Sequence, residues 1–409
     1  MNNVKLGDLL VIKHGYAFKS ENYVANSPYA LVTLANISET NTFRFDRDKT
    51  TFYGAGFPQE FLLEPEDLIM PLTEQVVGLF GNSAFVPAIG GIKFVLNQRV
   101  GKVVPKDGKA DKCYLHYLLS TEAVKKQLEY RASGTKQRNI SPDDVYDVTV
   151  CVPDIPEQRR IGNMLYSLER KVNLNKAIND NLQQQLKLMY DYWFTQFDFP
   201  DEDGRPYRSS GGKMVWNEDL QREIPLEWSC VTLGDLLQKN SKAFDYGTVE
   251  PTIDLSVMPS ATIALDKMNS SDMFSTNLFK MSEGDILFGS IRPYLKKAGI
   301  APCNGVVAGT VHSYQVKKDS DYNFALFTLC RDAFFSYAVT VSTGTKMPVV
   351  SSDSILSYKV PYSQDVAALF NNIDVRRTIC SNVQETQRLI TLRDWLLPML
   401  MNGQATITD

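Results

Sequence analysis

The chain has 409 residues, 44% hydrophobic and 22% charged, which is the balance of an ordinary folded protein with enough length for two cores. A net charge of -4 and a pI near 5.6 count against a large, uniformly basic surface, because phosphate neutralisation ordinarily leaves a basic footprint. The six cysteines form no Cys-x-x-Cys pair, no apolar run approaches the ~20 residues of a spanning helix, and Met1-Asn2-Asn3-Val4-Lys5 lacks a signal pattern. A protein of a reducing, cytoplasmic compartment without structural zinc or membrane contact is expected.

Leu6-Gly7-Asp8-Leu9-Leu10 opens a segment running to about residue 152. In it, short β-rich runs such as Ala30 to Leu34, Lys93 to Leu96 and Val100 to Val104 alternate with Gly, Pro, Asn and Asp clusters. One helix intervenes, with Leu115, Leu118, Leu119, Ala123 and Leu128 at helical spacing. At Asp154 the texture changes: Asp154-Ile155-Pro156-Glu157 offers a capping side chain, a proline for the first turn and a glutamate three residues after the cap. The long helix predicted from there places Leu165, Val172, Leu186 and Trp193 on one heptad position and Leu168, Leu182 and Met189 on the other, up to Pro200. Asn175 and Asn179 interrupt this seam, a pattern that sacrifices stability to fix register and partner.

A polar, turn-rich connector from about Phe199 to Trp228 collects acidic residues, including Asp198, Asp201, Glu202 and Asp203. The first segment then repeats. Leu233-Gly234-Asp235-Leu236-Leu237 answers Leu6 to Leu10, Gly284-Asp285-Ile286-Leu287 answers Glu66 to Ile69, and Gly344-Thr345-Lys346 answers Gly134-Thr135-Lys136. From about Ser363 a second long helix is predicted, with Phe370, Ile373, Cys380, Val383, Ile390 and Leu397 on its seam and an end near Pro398 and Gly403. A helix leaving the first copy and another returning from the second pair antiparallel, and some 40 helical residues span roughly 60 Å. The expected fold class is α+β: two similar α/β-mixed units separated by two long antiparallel helices that form a coiled-coil spacer. The boundaries fall at 1–153, 154–198, 199–361 and 362–409.

Essentially the whole chain resembles the specificity subunits of type I restriction-modification systems. The doubled Leu-Gly-Asp start, Gly284-Asp285-Ile286-Leu287-Phe288 with Ser290-Ile291-Arg292-Pro293, and Ser133-Gly134-Thr135-Lys136 look like that family's target-recognition domains. Pro156-Glu157-Gln158-Arg159-Arg160-Ile161 resembles the opening of its first spacer helix and Tyr192-Trp193-Phe194 the close; Arg393 to Gly403 is similar to the end of the second. Pro361-Tyr362-Ser363-Gln364-Asp365 departs from the Pro-Glu-Gln opening, which leaves room for helix asymmetry. The resemblance implies a non-catalytic subunit without cofactor, in which each domain reads half of a bipartite double-stranded DNA target and the helices set the gap. It also implies methyltransferase subunits docked on the helices and motor-nuclease subunits in the full complex.

Enzyme motifs are lacking: there is no GxxxxGK[ST] loop and no Asn/Asp-Pro-Pro-aromatic tetrapeptide, and His14, His116 and His312 are scattered. Base readout needs planar or bidentate hydrogen-bonding side chains, and phosphate contact needs cations, hydroxyls and backbone amides. Two loop pairs meet these needs. Thr73-Glu74-Gln75 offers Gln75 for adenine and Glu74 for a cytosine amino group, while in the second copy Ser290, Arg292, Tyr294, Lys296 and Lys297 offer Arg292 for guanine and lysines for the backbone. Thr135, Lys136, Gln137 and Arg138 in one copy and Thr345 and Lys346 in the other sit beside glycines suited to close phosphate approach. The acidic pI keeps an alternative open, a two-headed coiled-coil scaffold for partners other than nucleic acid.

Overall fold

The computed structural model describes residues 2–75, 77–135 and 137–407. It is mixed α+β, with two β-rich domains and two long helices packed together. The chain forms two compact units, Met1–Arg170 with Thr391–Asp409 (unit 1) and Lys171–Ile390 (unit 2).

In unit 1, Leu6–Leu9 makes a single helical turn whose leucines are buried, and the Asp8 carboxylate accepts the Lys5 amide at 3.1 Å. The chain then enters a four-stranded antiparallel sheet in the order Leu10–His14, Val100–Pro105, Leu68–Pro71, Ala84–Phe85. A second sheet orders Tyr23–Val24, Phe52–Tyr53, Tyr29–Val32 and Lys93–Leu96, the last two strands being parallel. Helices Lys112–Leu119 and Glu122–Arg131 close the main core through Leu115, Leu118, Leu119, Val124 and Leu128.

Unit 2 repeats the first sheet of this frame, while its second sheet carries the parallel pair in the middle and not at the edge. The turn Leu233–Leu236 leads into the sheet Leu237–Asn240, Val311–Val316, Ile286–Gly289, Ala298–Ile300, and the second sheet again holds one parallel pair, Pro251–Ile253 with Gly305–Ala308. Small devices repeat too: Lys106 donates to the Gly7 carbonyl and Lys317 to that of Gly234, each at 2.5 Å. Asp67, paired with Lys102 at 2.6 Å, corresponds to Asp285, which accepts from Asn240, Ser313 and Gln315. The same strand junction is thus stitched by an ion pair in one copy and by neutral donors on a carboxylate in the other.

The first long helix, Ile155–Tyr190, has 36 residues and ends in one π turn, Asp191–Thr195. Asp154 caps it by accepting the Glu157 amide at 3.0 Å. Leu165, Val172 and Leu186 are buried, as the heptad reading expects, and so are both seam asparagines. Within unit 2, Asn175 donates to Glu385 Oε2 at 2.7 Å and Asn179 accepts from Asn382 at 2.8 Å. Residue numbers rise on one helix as they fall on the other, so the pair is antiparallel. One amide answered by a carboxylate and another by an amide tolerate only this register, because a shift leaves buried polar groups unpaired.

The second helix differs from its sequence expectation. A short helix, Gln364–Phe370, is separated by Asn371–Asp374 from the long one, Val375–Met401. Side chains satisfy the broken ends: Asn323 donates to the carbonyls of Phe370 and Ile373, and Asp374 caps the next turn through the Arg377 amide at 3.0 Å. Ile373, expected on the seam, therefore stands exposed. Pro398 lies inside the last turns, and the left-handed Gly403 (φ 68°) follows the helix end. The connector is ordered, with a hairpin of Met214–Asn217 and Arg222–Pro225, and with Phe199 stacked on Tyr207 at 4.7 Å.

Candidate nucleic-acid interface

The two loops singled out in each copy come together in space. In unit 1, Thr73–Glu74 pairs antiparallel with Arg138–Asn139, Glu74 opposite Arg138 and Thr73 opposite Asn139. In unit 2, Ile291 bridges Val349, the Arg292 amide donates to the Pro348 carbonyl at 2.8 Å and the Val350 amide to that of Ser290 at 2.9 Å. The glycine loops are of equal length. Ser133 and Asn139 exchange backbone hydrogen bonds at 3.0 and 2.8 Å, and Thr343 and Val349 do so at 2.9 Å in both directions. Gly134 and Gly344 have φ of 108° and 92°, and a Cβ at Gly134 would lie 2.2 Å from the Gln137 carbonyl oxygen, so only glycine closes this turn.

Side-chain placement divides the expected site residues into braces and free groups. Thr73 and Glu74 are buried, and this corrects the reading of Glu74 as an outward group. Its Oε1 lies 2.9 Å from the Arg138 guanidinium and its Oε2 accepts the amides of Leu79 and Phe80 at 3.0 and 3.2 Å, so the carboxylate is turned into the fold. Arg138 is likewise a brace, donating also to the Glu129 carbonyl at 2.5 Å. Thr73 donates to Asn139 Oδ1 at 2.9 Å. Gln75 and Thr135 are exposed, Gln137 is half-buried, and Lys136 lies outside the described residues.

In unit 2, Arg292 is exposed and holds a left-handed backbone with φ 52°, a costly conformation for a side chain of this size. Its guanidinium has no partner among the described residues. Tyr294 is 52% exposed, and Thr345 and Lys346 are exposed at the glycine loop. Ser290 is buried and donates to the Thr310 carbonyl, which removes it from the surface. Lys297 donates to the Leu255 carbonyl at 2.5 Å, and Lys296 pairs with Asp332 at 2.6 Å. Both lysines are tied down within the unit.

Sequence reading missed His14, Gln98 and Arg99, which line a pocket of about 490 Å³ beside the unit 1 ladder together with Thr73, Gln137 and Asn139. The only signal was a polar turn, Asn97-Gln98-Arg99, between two strand-like runs. His116, set aside in the sequence as one of three scattered histidines, is closed off from solvent: Ser83 Oγ lies 2.8 Å from its Nδ1 and Glu169 Oε2 3.4 Å from its Nε2, while Tyr117 donates to the same carboxylate at 2.9 Å. Burial raises the Glu169 carboxyl, but His116, Tyr117 and Arg393 outweigh it and hold it below the ordinary range. This cluster fastens the first long helix to the unit 1 core. Among the described residues no cluster of side chains is arranged to hold a metal, and no helix is long and apolar enough to cross a membrane.

Beneath the unit 2 ladder lies His312, opposite Phe288 in the sheet. Burial, together with the Lys239 charge, pushes its pKa down to about 4 against a contact with Val350 that raises it. The folded state therefore holds it neutral while the unfolded chain takes up a proton near pH 6.5. Stability contributed by this group is complete above pH 6.5 and is lost as pH falls toward 4, by about 1.4 kcal/mol per unit. Thermal melts of wild type and His312→Gln between pH 4.5 and 7.5 check this: the difference between them should shrink with acidification, and a constant difference would contradict it.

The family model for the type I restriction modification DNA specificity domain matches residues 1–184. The type I restriction enzyme MjaIX specificity subunit of Methanocaldococcus jannaschii is 22% identical over 338 residues, covering 79% of this chain and 75% of that protein. The type I restriction enzyme EcoDI specificity subunit of Escherichia coli is 24% identical over 308 residues, covering 69% and 66%. The crystal structure of the type I restriction-modification S subunit from M. genitalium aligns with a TM-score of 0.58 at 16% identity, over 98% of this chain and 95% of that one. The fold is common to both.

Proposed function

We propose that the chain is a specificity subunit of a type I restriction-modification system and that its two units read the two halves of one gapped duplex DNA target with their paired loops. As a member of that family it recognises DNA within the complex and is not itself the catalyst. The observation that carries the finer reading is the loop ladder beside the first sheet, built twice on the same frame with different outward side chains: Gln75 and Gln137 in unit 1, Arg292 and Tyr294 in unit 2. A shared frame with divergent tips is what two readers of different sequences require, since phosphate contacts position and base contacts specify.

In this reading, residues 1–153 and 199–361 are the target-recognition domains, and 154–198 and 362–409 form the helical spacer that sets the gap and docks methyltransferase subunits. Motor-nuclease subunits join them in the full complex. The polar seam of Asn175, Asn179 and Asn382 supports a spacer of fixed register, because gap length is only as reliable as helix register. Lys346, exposed at the unit 2 glycine loop, is assigned to phosphate. Lys346→Ala should weaken binding of the assembled complex nearly equally on all sequences and lower the salt slope by about one.

Methylome sequencing of cells with and without the chain tests the whole reading: one gapped motif should disappear without it. Exchanging residues 1–152 for the corresponding domain of a relative should change one half of that motif. An unchanged motif after the exchange would sink the assignment.

A further inference from the structure

The pocket beside the unit 1 ladder has a chemistry of its own. Asn139 Oδ1 accepts from Thr73 Oγ1 at 2.9 Å and from Gln137 Nε2 at 3.3 Å. Both acceptor directions of that oxygen are used, so the group left for a ligand is the amide NH₂, a donor. Arg99 is pinned by its backbone, its amide donating to Asn97 Oδ1 at 3.4 Å and its carbonyl accepting the Leu72 amide at 2.9 Å. Its side chain is exposed and has no partner among the described residues. Two fixed segments thus place donor-bearing side chains on the lining of one concavity of about 490 Å³.

We propose that this pocket is the base-reading site of unit 1 and that it takes the acceptor-rich major-groove edge of guanine, O6 and N7, with Arg99 and Asn139 as donors. The inference rests on the DNA-reading role proposed above and deepens it by naming the base and the residues, none of which the sequence had marked as readers.

Unit 2 supplies the contrast. Sheet register and matching backbone bonds place Val349 where unit 1 has Asn139, Ile291 where it has Thr73, Met347 where it has Gln137, and Thr310 where it has Arg99. Val349 and Met347 are 38% and 51% exposed. Apolar groups occupy the positions that carry amides in unit 1, so the donor pocket is a property of unit 1's target half and not of the shared frame.

The test uses the assembled methyltransferase complex. Methylome sequencing with the wild-type chain defines the motif, and the exchange of residues 1–152 marks which half belongs to unit 1. Arg99→Ala and Asn139→Asp are then compared; aspartate keeps an oxygen for Thr73 and Gln137 and turns the donor into a charged acceptor. In the unit 1 half, the wild type should require a guanine, and both variants should relax that requirement at least tenfold while leaving the other half unchanged. Placing 7-deazaguanine at that position in a binding duplex should weaken wild type about tenfold and the variants much less. A bipartite motif whose unit 1 half lacks a required guanine, or keeps its preference in both variants, overturns this inference alone. Failure of the wild type to yield any motif overturns it together with the DNA-reading role.

Discussion

Glu74→Ala will lower the stability of the chain by about 3 kcal/mol, a drop of about 10 °C in melting temperature for a unit of this size. The carboxylate is 1% exposed, pairs with Arg138 at 2.9 Å and accepts the amides of Leu79 and Phe80. Removing it leaves a cation that is itself only 22% exposed and two backbone donors without an acceptor. Losing one member of such a pair costs far more than the pair contributes, because desolvation of the survivor is no longer offset. Glu74→Gln separates this role from base reading: it keeps an oxygen for the amides and should recover part of the loss with target preference unchanged. A variant that melts like the wild type but prefers a different base in the unit 1 half would return Glu74 to the role of reader. Differential scanning calorimetry and a methylome of each variant decide the matter.

Arg292→Ala should relax selectivity in the unit 2 half of the target by 10- to 100-fold, about 1–3 kcal/mol of discrimination, and leave the other half intact. The exposed guanidinium has no partner among the described residues, so truncation removes a readout group without opening a hole. Its left-handed backbone adds an independent handle. Arg292→Gly should lose the same selectivity while gaining about 1 kcal/mol of stability, since glycine adopts φ 52° without a Cβ penalty. An arginine retained at such cost is consistent with a requirement for its aim. Equal loss at both halves of the target from either variant would show that Arg292 supports the complex and does not read sequence.

The brace residues and the free residues look alike in the sequence. Thr73-Glu74-Gln75 and Arg292 were legible as polar groups after a strand, and the glycine loops as a repeated turn. Nothing local distinguished Glu74, which turns inward to meet Arg138 some sixty positions later, from Gln75, which turns outward. Lys296 and Lys297 show the same limit, one held by Asp332 and the other by the Leu255 carbonyl. The unit 1 pocket escaped notice because its walls come from segments near residues 14, 73, 98 and 137.

What the sequence determined by itself is the architecture. A doubled Leu-Gly-Asp turn, a doubled strand pattern, a heptad interrupted by asparagines and a capped helix start are periodic or local signals, and each is set by neighbours a few residues away. What only the tertiary structure decided is which polar side chains remain free for a partner, and where the second helix breaks. Those outcomes depend on buried acceptors and donors finding one another across the fold, as Asn323 does at the broken helix end and Glu74 does at the ladder. An unpaired polar group is costly only once water has been excluded, so its partner is chosen by packing and not by the local pattern.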